Sequence, residues 1–232
     1  MTEKNEPAVR TEDLWKIFEH EAEEVRAVAG VDLTIERSEF TALAGPSGSG
    51  KTTLLNIIGG LTRPSRGRVW IAGRDITEMS SRDLAELRLQ QVGFVFQAYN
   101  LLPVLTALEN AEFPLVLRGM EETERAKRVR ELFQRTGLEG LEDRRPGKLS
   151  GGQQQRVAVI RAVVGWPALV LADEPTANLD SAASESLLQM MEELNREQGT
   201  TFVFATHDPR VMHHSRRLIR LVDGRIASDE TR

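Results

Sequence analysis

Apolar residues along this chain come in short unbroken runs. FTALAG (Phe40–Gly45), VGFVF (Val92–Phe96), ALVLA (Ala168–Ala172) and TFVFA (Thr201–Ala205) show no alternation with polar positions. Strands buried on both faces read this way, and such strands belong to parallel sheets. Between the runs the spacing lengthens to a helical period. KTTLLNIIGGL predicts a helix that closes at Gly59 and Gly60, and Ala182–Gln198 gathers Leu187, Leu188, Met191 and Leu194 on one face. Short buried strands alternating with helices predict an α/β fold with a mostly parallel sheet.

Two regions break this alternation. Residues 9–36 and 66–76 read as antiparallel strands with acidic or glycine turns, an antiparallel β subdomain. ETERAKRVRELFQRTGL (Glu122–Leu138) carries Ala126, Val129, Leu132 and Phe133 at helical spacing and then a glycine stop. Residues of about 99–148 therefore read as a helical subdomain inserted into a core made of about 1–98 and 149–232, all within one domain, 1–232. The apolar positions of the insert are most simply core.

Composition narrows the function. The chain has 232 residues, 40% of them hydrophobic, which suits one domain with a sizeable core. A net charge of −5 speaks against general nucleic-acid binding. With no cysteine there is no disulfide, thiolate metal site or cysteine nucleophile. The N-terminal MTEKNEPAVRTED is polar and acidic, unlike a signal peptide, and no run approaches the ~18 apolar residues of a membrane span. The expected location is the cytoplasm, with any membrane association supplied by a partner.

Lysine is scarce, 5 against 25 arginines, and one of the five stands in GPSGSGKTT: Gly45, Pro46, Ser47, Gly48, Ser49, Gly50, Lys51, Thr52, Thr53. This fits G-x-x-x-x-G-K-[ST] between a predicted strand and a predicted helix, the context in which such a loop cradles phosphates. At this composition roughly 0.004 matches would arise by chance. In that chemistry Lys51 reaches the β- and γ-phosphates and the Thr52 hydroxyl ligates Mg²⁺. The plain alternative, a glycine turn before a helix, leaves the rest of the chain unexplained.

Polar groups also end the other runs. ALVLADEP closes on Asp173, placed to hold Mg²⁺, and Glu174, placed to polarise a water. By itself an Asp-Glu pair is a solvated loop; behind an apolar strand, in a chain with a phosphate loop, it is a candidate catalytic pair. FVFATHD puts His207 at a strand's C-terminal edge, where ligands of open α/β sheets gather. Gln97 follows VGFVF in the same way and can bind a metal ion or water. His213 and His214 read as an exposed pair. LSGGQQQRVAVIRA (Leu149–Ala162) sets two glycines at a helix start, where free N–H groups receive an anion.

The order of these motifs resembles an ABC-type ATPase cassette, over nearly the whole chain, from about Leu14 to Gly224: phosphate loop, Gln97, LSGGQ at 149–153, LVLADE at 169–174, NLD at 178–180 and His207. TLLNIIGGLTRPSRG, FVFQAYNLLPVLTALENAEFPL and LADEPTANLD are similar to the cassettes of lipoprotein release and macrolide efflux. The resemblance implies a P-loop NTPase core, ATP and Mg²⁺ as cofactors, and a cassette homodimer, head to tail on ATP. It also implies two copies of an integral membrane permease-type subunit, with the cassette held peripherally by them at the cytoplasmic face of the inner or plasma membrane. Phe18 matches the aromatic that stacks on adenine. Thr52, Gln97 and Asp173 match the Mg²⁺ contacts, Glu174 the catalytic base, and His207 the γ-phosphate switch. Ser150, Gly151, Gly152 and Gln153 match the signature that meets the partner's γ-phosphate, and Asp180 the loop linking the two sites. Ser38, where glycine is usual, and Gly165 and Trp166, where a polar pair is usual, depart from the pattern and put local turn geometry in question.

Other readings stay in view. A regulatory cassette of the membrane-bound cell-division type would look much the same. A DNA-repair ATPase needs a long coiled coil between Gln97 and Ser150, a ribosome-bound one needs two cassettes, and a phosphate-loop kinase leaves LSGGQ without a role. AYNLLPVLTALEN, with Tyr99, Leu101 and Leu102, is the candidate groove for a partner's cytoplasmic helix.

Overall fold

The computed structural model describes residues 6–20 and 23–232. Met1–Asn5, part of the polar N-terminal stretch, and Glu21–Ala22 of the first acidic turn lie outside them.

The apolar runs form the parallel strands of a six-stranded sheet: β3 (Phe40–Ala44), β6 (Val92–Val95), β7 (Leu169–Asp173) and β8 (Thr201–Thr206). β9 (Arg217–Val222) joins them in parallel, and β10 (Arg225–Thr231) closes one edge antiparallel to β9, giving the order β10-β9-β3-β8-β7-β6. Register pairs Leu43 with Ala205, Leu171 with Val203 and Val95 with Ala172. Because β3, β8, β7 and β6 are parallel neighbours, the residues that follow them reach the same edge of the sheet. Gly45, His207, Glu174 and Gln97 are those residues.

Successive strand residues face opposite ways, so each run feeds two cores. Phe40, Val170, Phe202 and Phe204 pack with α5 (Gly151–Val163), α6 (Ser181–Gln198) and the inserted helices. Leu43, Leu171, Val203 and Ala205 pack with α1 (Lys51–Ile58), α2 (Ser81–Gln91) and a second, antiparallel sheet. That sheet has the order β2-β1-β4-β5, from β1 (Val9–His20), β2 (Glu23–Ile35), β4 (Arg66–Ile71) and β5 (Arg74–Asp75).

Residues 99–148 hold α3 (Ala107–Leu117), α4 (Glu122–Arg135) and a 3₁₀ turn at Pro146–Lys148. α3 starts at a capping box: Thr106 Oγ1 accepts from Glu109 N at 3.2 Å while Glu109 Oε2 accepts from Thr106 N at 2.7 Å. Buried Asn110 donates to the carbonyls of Leu102, Leu105 and Thr106, which fixes the chain before the helix. Val129, Leu132 and Phe133 of α4 are buried, and Ala126 is half-buried.

The two departures in turn geometry resolve. Ser38 takes the left-handed conformation (φ 63°) that glycine favours; its Oγ donates to Gly199 O at 2.9 Å and its N–H to Thr201 Oγ1 at 3.0 Å. Trp166 is likewise left-handed (φ 51°), with Arg128 4.1 Å from its ring centroid. A Cβ on Gly165 would lie 2.5 Å from Arg118 Nη2, so glycine there seats the guanidinium that bonds Gly165 O and Leu89 O. The exposed-pair reading of His213 and His214 is half right. His213 is exposed, but α7 (Pro209–His214) carries His214 back onto Glu185 and Glu192 of α6. Burial opposes its protonation, yet hydrogen bonds to the two carboxylates outweigh that and raise its pKa.

Candidate functional site

The chain caps most of its longer helices with its own oxygens. Ser80 caps α2, Thr106 caps α3, Ser150 caps α5 and Asp180 caps α6. α1 is different: its N-cap is Gly50 and no side chain accepts from its first turn. Its first N–H groups have no partner within the helix and point along its positive end. Only glycine fits at position 50, where φ is 100° and a Cβ would lie 2.1 Å from Ala27 O. Ser49 Oγ is buried with no hydrogen-bond partner. Lys51, 8% exposed, has no carboxylate within ion-pair distance among the described residues; its Nζ donates to Gly45 O at 2.8 Å and Pro46 O at 2.9 Å. A buried ammonium beside an open helix N-terminus makes an anion cradle.

This loop forms one wall of a cleft of about 540 Å³, and Gln97, Glu174 and His207 form the other. Thr52 Oγ1 donates to Asp173 Oδ1 at 3.0 Å, bridging the walls beneath it. Burial pushes the Asp173 carboxyl above its usual range; the Thr52 bond and Lys51 pull it down, while Glu174 adds to the rise. Glu174 takes a left-handed backbone (φ 46°), fixed by its N–H bond to Ala205 O at 2.9 Å. Its Oε2 accepts from Thr206 Oγ1 at 3.1 Å and its Oε1 lies 2.6 Å from His207 Nδ1. Thr206 and His207 thus orient one carboxylate toward the cleft, a geometry able to hold a water beside an anion bound on the loop. Thr52, Asp173 and Gln97 supply a hydroxyl, a carboxylate and an amide, oxygen donors that suit a hard divalent cation such as Mg²⁺. Among the described residues no group of three His, Cys, Asp or Glu forms a metal cluster by itself. The cation fits only as one shared with a phosphate ligand.

Other sequence candidates lie elsewhere. Phe18, 39% exposed, sits on β1 opposite Val25 and outside the lining of the cleft; its hairpin enters the lining through Ala27. Lys16 packs beside it, Nζ 5.1 Å from the ring centroid and bonded to Arg63 O at 2.9 Å. Ser150, Gly151, Gly152 and Gln153 also lie outside the cleft. Ser150 and Gln153 form a capping box: Ser150 N donates to Gln153 Oε1 at 2.9 Å and Gln153 N to Ser150 Oγ at 3.3 Å. Gln153 is therefore turned onto its own helix. Asp180 Oδ1 accepts from Ala183 N at 2.8 Å as the cap of α6, also outside the cleft.

Sequence reasoning missed the supports of the cleft. Thr206 holds Glu174, and Asp208, bonded to Thr176 Oγ1 at 2.7 Å and to Arg210, anchors the turn that carries His207. Asp208 followed by Pro209 is a helix-start signal that could have located this turn. The residues expected to form a partner groove, Tyr99, Leu101 and Leu102, line none of the hollow nearby. A hollow of about 430 Å³ is walled by Leu61, Phe94, Phe96, Pro114 and Leu117, with Arg161 in it. Of the expected stretch it takes only Asn100, while Leu101 packs into the core below α3.

The comparisons with known proteins agree with this geometry. The lipoprotein-releasing system ATP-binding protein LolD of Anaeromyxobacter dehalogenans is 50% identical over 201 residues, covering 86% of this chain and 84% of its own length. The macrolide export ATP-binding/permease protein MacB of Bordetella avium is 45% identical over 228 residues; the match covers 98% of this chain and only 35% of MacB. A dimeric post-hydrolysis structure of the ATP-binding cassette MJ0796, bound to ADP and Pi, superposes with a TM-score of 0.89 at 41% identity, over 96% of this chain and 98% of that one. The family model described as ABC transporter matches residues 28–177, which takes in the phosphate loop, the signature and the Asp173–Glu174 strand end, and the chain belongs to that family.

Proposed function

We propose that this chain is the ATP-binding and ATP-hydrolysing subunit of an ABC transporter of the lipoprotein-release or macrolide-export type. The observation that carries the reading is the cleft itself: an uncapped helix N-terminus and buried Lys51 face a carboxylate, Glu174, that Thr206 and His207 hold in place. The loop N–H groups and Lys51 bind the β- and γ-phosphates, and Glu174 orients and deprotonates the attacking water. Thr52, Asp173 and Gln97 would hold Mg²⁺, which would supply charge neutralisation at the phosphates. His207 contacts the γ-phosphate while positioning Glu174. Phe18 stacks on adenine. Phe18→Ala should therefore raise KM for ATP by about tenfold or more and change kcat less than twofold. Stacking worth ~1–3 kcal/mol serves ground and transition states alike. A fall in kcat at constant KM would remove Phe18 from that role.

The signature at Ser150–Gln153 lies outside the lining of its own cleft, which supports a composite site: the loop serves the γ-phosphate held by a second copy, in a head-to-tail dimer. The similar cassette MJ0796 is dimeric with ADP and Pi bound, which supports a nucleotide-linked dimer. No described helix is long and apolar enough to cross a membrane. In this reading mechanical work passes to membrane-spanning subunits, two per dimer. The hollow walled by Leu61, Phe94, Phe96, Pro114 and Leu117 receives their cytoplasmic helices, and the cassette is peripheral to the membrane through them.

Size-exclusion chromatography of the Glu174→Gln protein tests the composite site. ATP should convert it to a dimer and ADP should leave it monomeric. Ser150→Arg should abolish the dimer by filling the place of the facing γ-phosphate, with each chain's own phosphate loop intact. A dimer that ignores Ser150→Arg would refute the signature's role across the interface.

A further inference from the structure

The loop after β6 contains two side-chain-bearing residues in the left-handed region, Tyr99 (φ 57°) and Asn100 (φ 51°). That backbone is unfavourable for a tyrosine, whose Cβ crowds the following carbonyl, and it persists only where neighbours enforce it. The principal enforcer is α5, the helix that begins at the signature. Arg161 donates from Nη2 to Tyr99 O at 2.9 Å and from Nη1 to Asn100 O at 2.6 Å. Near the other end of the loop, buried Gln155 donates from Nε2 to Phe96 O at 3.3 Å and to Pro175 O at 2.7 Å. Gln97, between them, has its carbonyl bonded by Asn178 Nδ2 at 2.8 Å. The backbone on both sides of Gln97 is thus fastened to one helix.

The strained turn sends Tyr99 toward the start of that helix. Its Oη lies 2.8 Å from the point a Cβ on Gly151 would occupy. Gly152 is different, since a Cβ there would meet only Ala183 Cβ at 3.4 Å, an ordinary contact. The absence of a side chain at Gly151 therefore makes room for a tyrosine of the same chain.

We propose that Tyr99 is a positioning residue that couples the Gln97 loop to the signature loop within one chain, with Arg161 as the clamp that holds it. The inference rests on the composite-site reading, in which Gln97 serves the nucleotide of its own chain and Ser150–Gly152 that of the partner. A displacement of Gln97 on nucleotide binding then reaches the opposite site through the Tyr99 ring. It also changes the meaning of Gly151: a methyl there acts by displacing Tyr99.

The test uses full-length Glu174→Gln protein and reads the ATP concentration for half-maximal dimerisation. Tyr99→Asn keeps a residue that tolerates the left-handed turn but loses the ring. It should raise that concentration about tenfold while monomer affinity for ATP stays within twofold. Tyr99→Phe should restore the original value. Arg161→Lys, which leaves the ring but loosens its turn, should give a smaller shift of the same sign. Gly151→Ala should impair dimerisation in the Tyr99 chain and add nothing in the Tyr99→Asn chain, a non-additivity expected only of residues acting through one contact. Additive costs, or a Tyr99→Asn protein that dimerises normally while Ser150→Arg still abolishes the dimer, would overturn this inference alone. A dimer indifferent to Ser150→Arg would overturn the composite-site reading and this inference with it.

Discussion

Glu174→Gln is expected to lower ATP turnover by about 10²–10⁴-fold while ATP affinity changes by no more than a few-fold. That range is the usual contribution of a positioned general base. The surroundings of Glu174 explain why the change isolates basicity. The backbone is pinned by the bond to Ala205 O, and one carboxylate oxygen accepts from Thr206. A glutamine oxygen can keep the Thr206 bond, and its amide can donate to an unprotonated His207 Nδ1, so the side chain stays where it was. What is lost is the ability to take a proton from water. Thr206→Val leaves the carboxylate but removes one of its supports, and a smaller loss of kcat, about tenfold, should follow with KM unchanged. Single-turnover measurements on both variants check this. A Glu174→Gln protein with more than a tenth of the parent activity would mean that another group activates the water.

The features legible in the sequence were those written as local chemistry. The phosphate loop declares itself because φ > 0 at Gly48 and Gly50, and the contact of position 50 with Ala27 O, admit only glycine, while the buried cation must be a lysine next to a hydroxyl. The parallel strands were legible because burial on both faces leaves unbroken apolar runs. β9 and β10 went unread, since RLIRLV and RIASDET mix arginine and acidic residues with apolar ones at the edge of the sheet. α2 went unread because Leu84 and Leu87 are its only buried residues. The apolar residues of AYNLLPVLTALEN suggested a partner groove, but the walls of the hollow come from α1's end, β6 and α3, segments far apart in sequence. The left-handed turn that carries Tyr99 toward Gly151 is bonded by Arg161 of α5, and that long-range contact leaves no spacing signal near Tyr99. Long-range supports such as Thr206 for Glu174 leave no spacing signature.

Lys51→Met should separate nucleotide binding from folding. The Lys51 ammonium is buried among backbone carbonyls, and among the described residues no carboxylate pairs with it directly; Asp173 acts on it only at a distance. Burying such a charge costs stability, and two hydrogen bonds to carbonyls recover only part of that. Removing it leaves the fold as stable as before, so the thermal midpoint without nucleotide should move little. ATP affinity should respond very differently. Charge-assisted hydrogen bonds are worth ~1.5–3 kcal/mol each, and losing two of them to the β- and γ-phosphates predicts a weakening of about 10²–10⁴-fold. Ligand linkage turns this into a direct readout. At an ATP concentration about a hundred times Kd the parent protein gains ~2.7 kcal/mol, or roughly 5–10 °C in Tm for a domain of this size. At the same concentration Lys51→Met should gain less than about 2 °C. A Lys51→Met protein that ATP still stabilises by several degrees would show that the loop N–H groups alone hold the phosphates, and one that has already lost its cooperative unfolding without ATP would show that the ammonium's bonds to Gly45 and Pro46 support the loop itself.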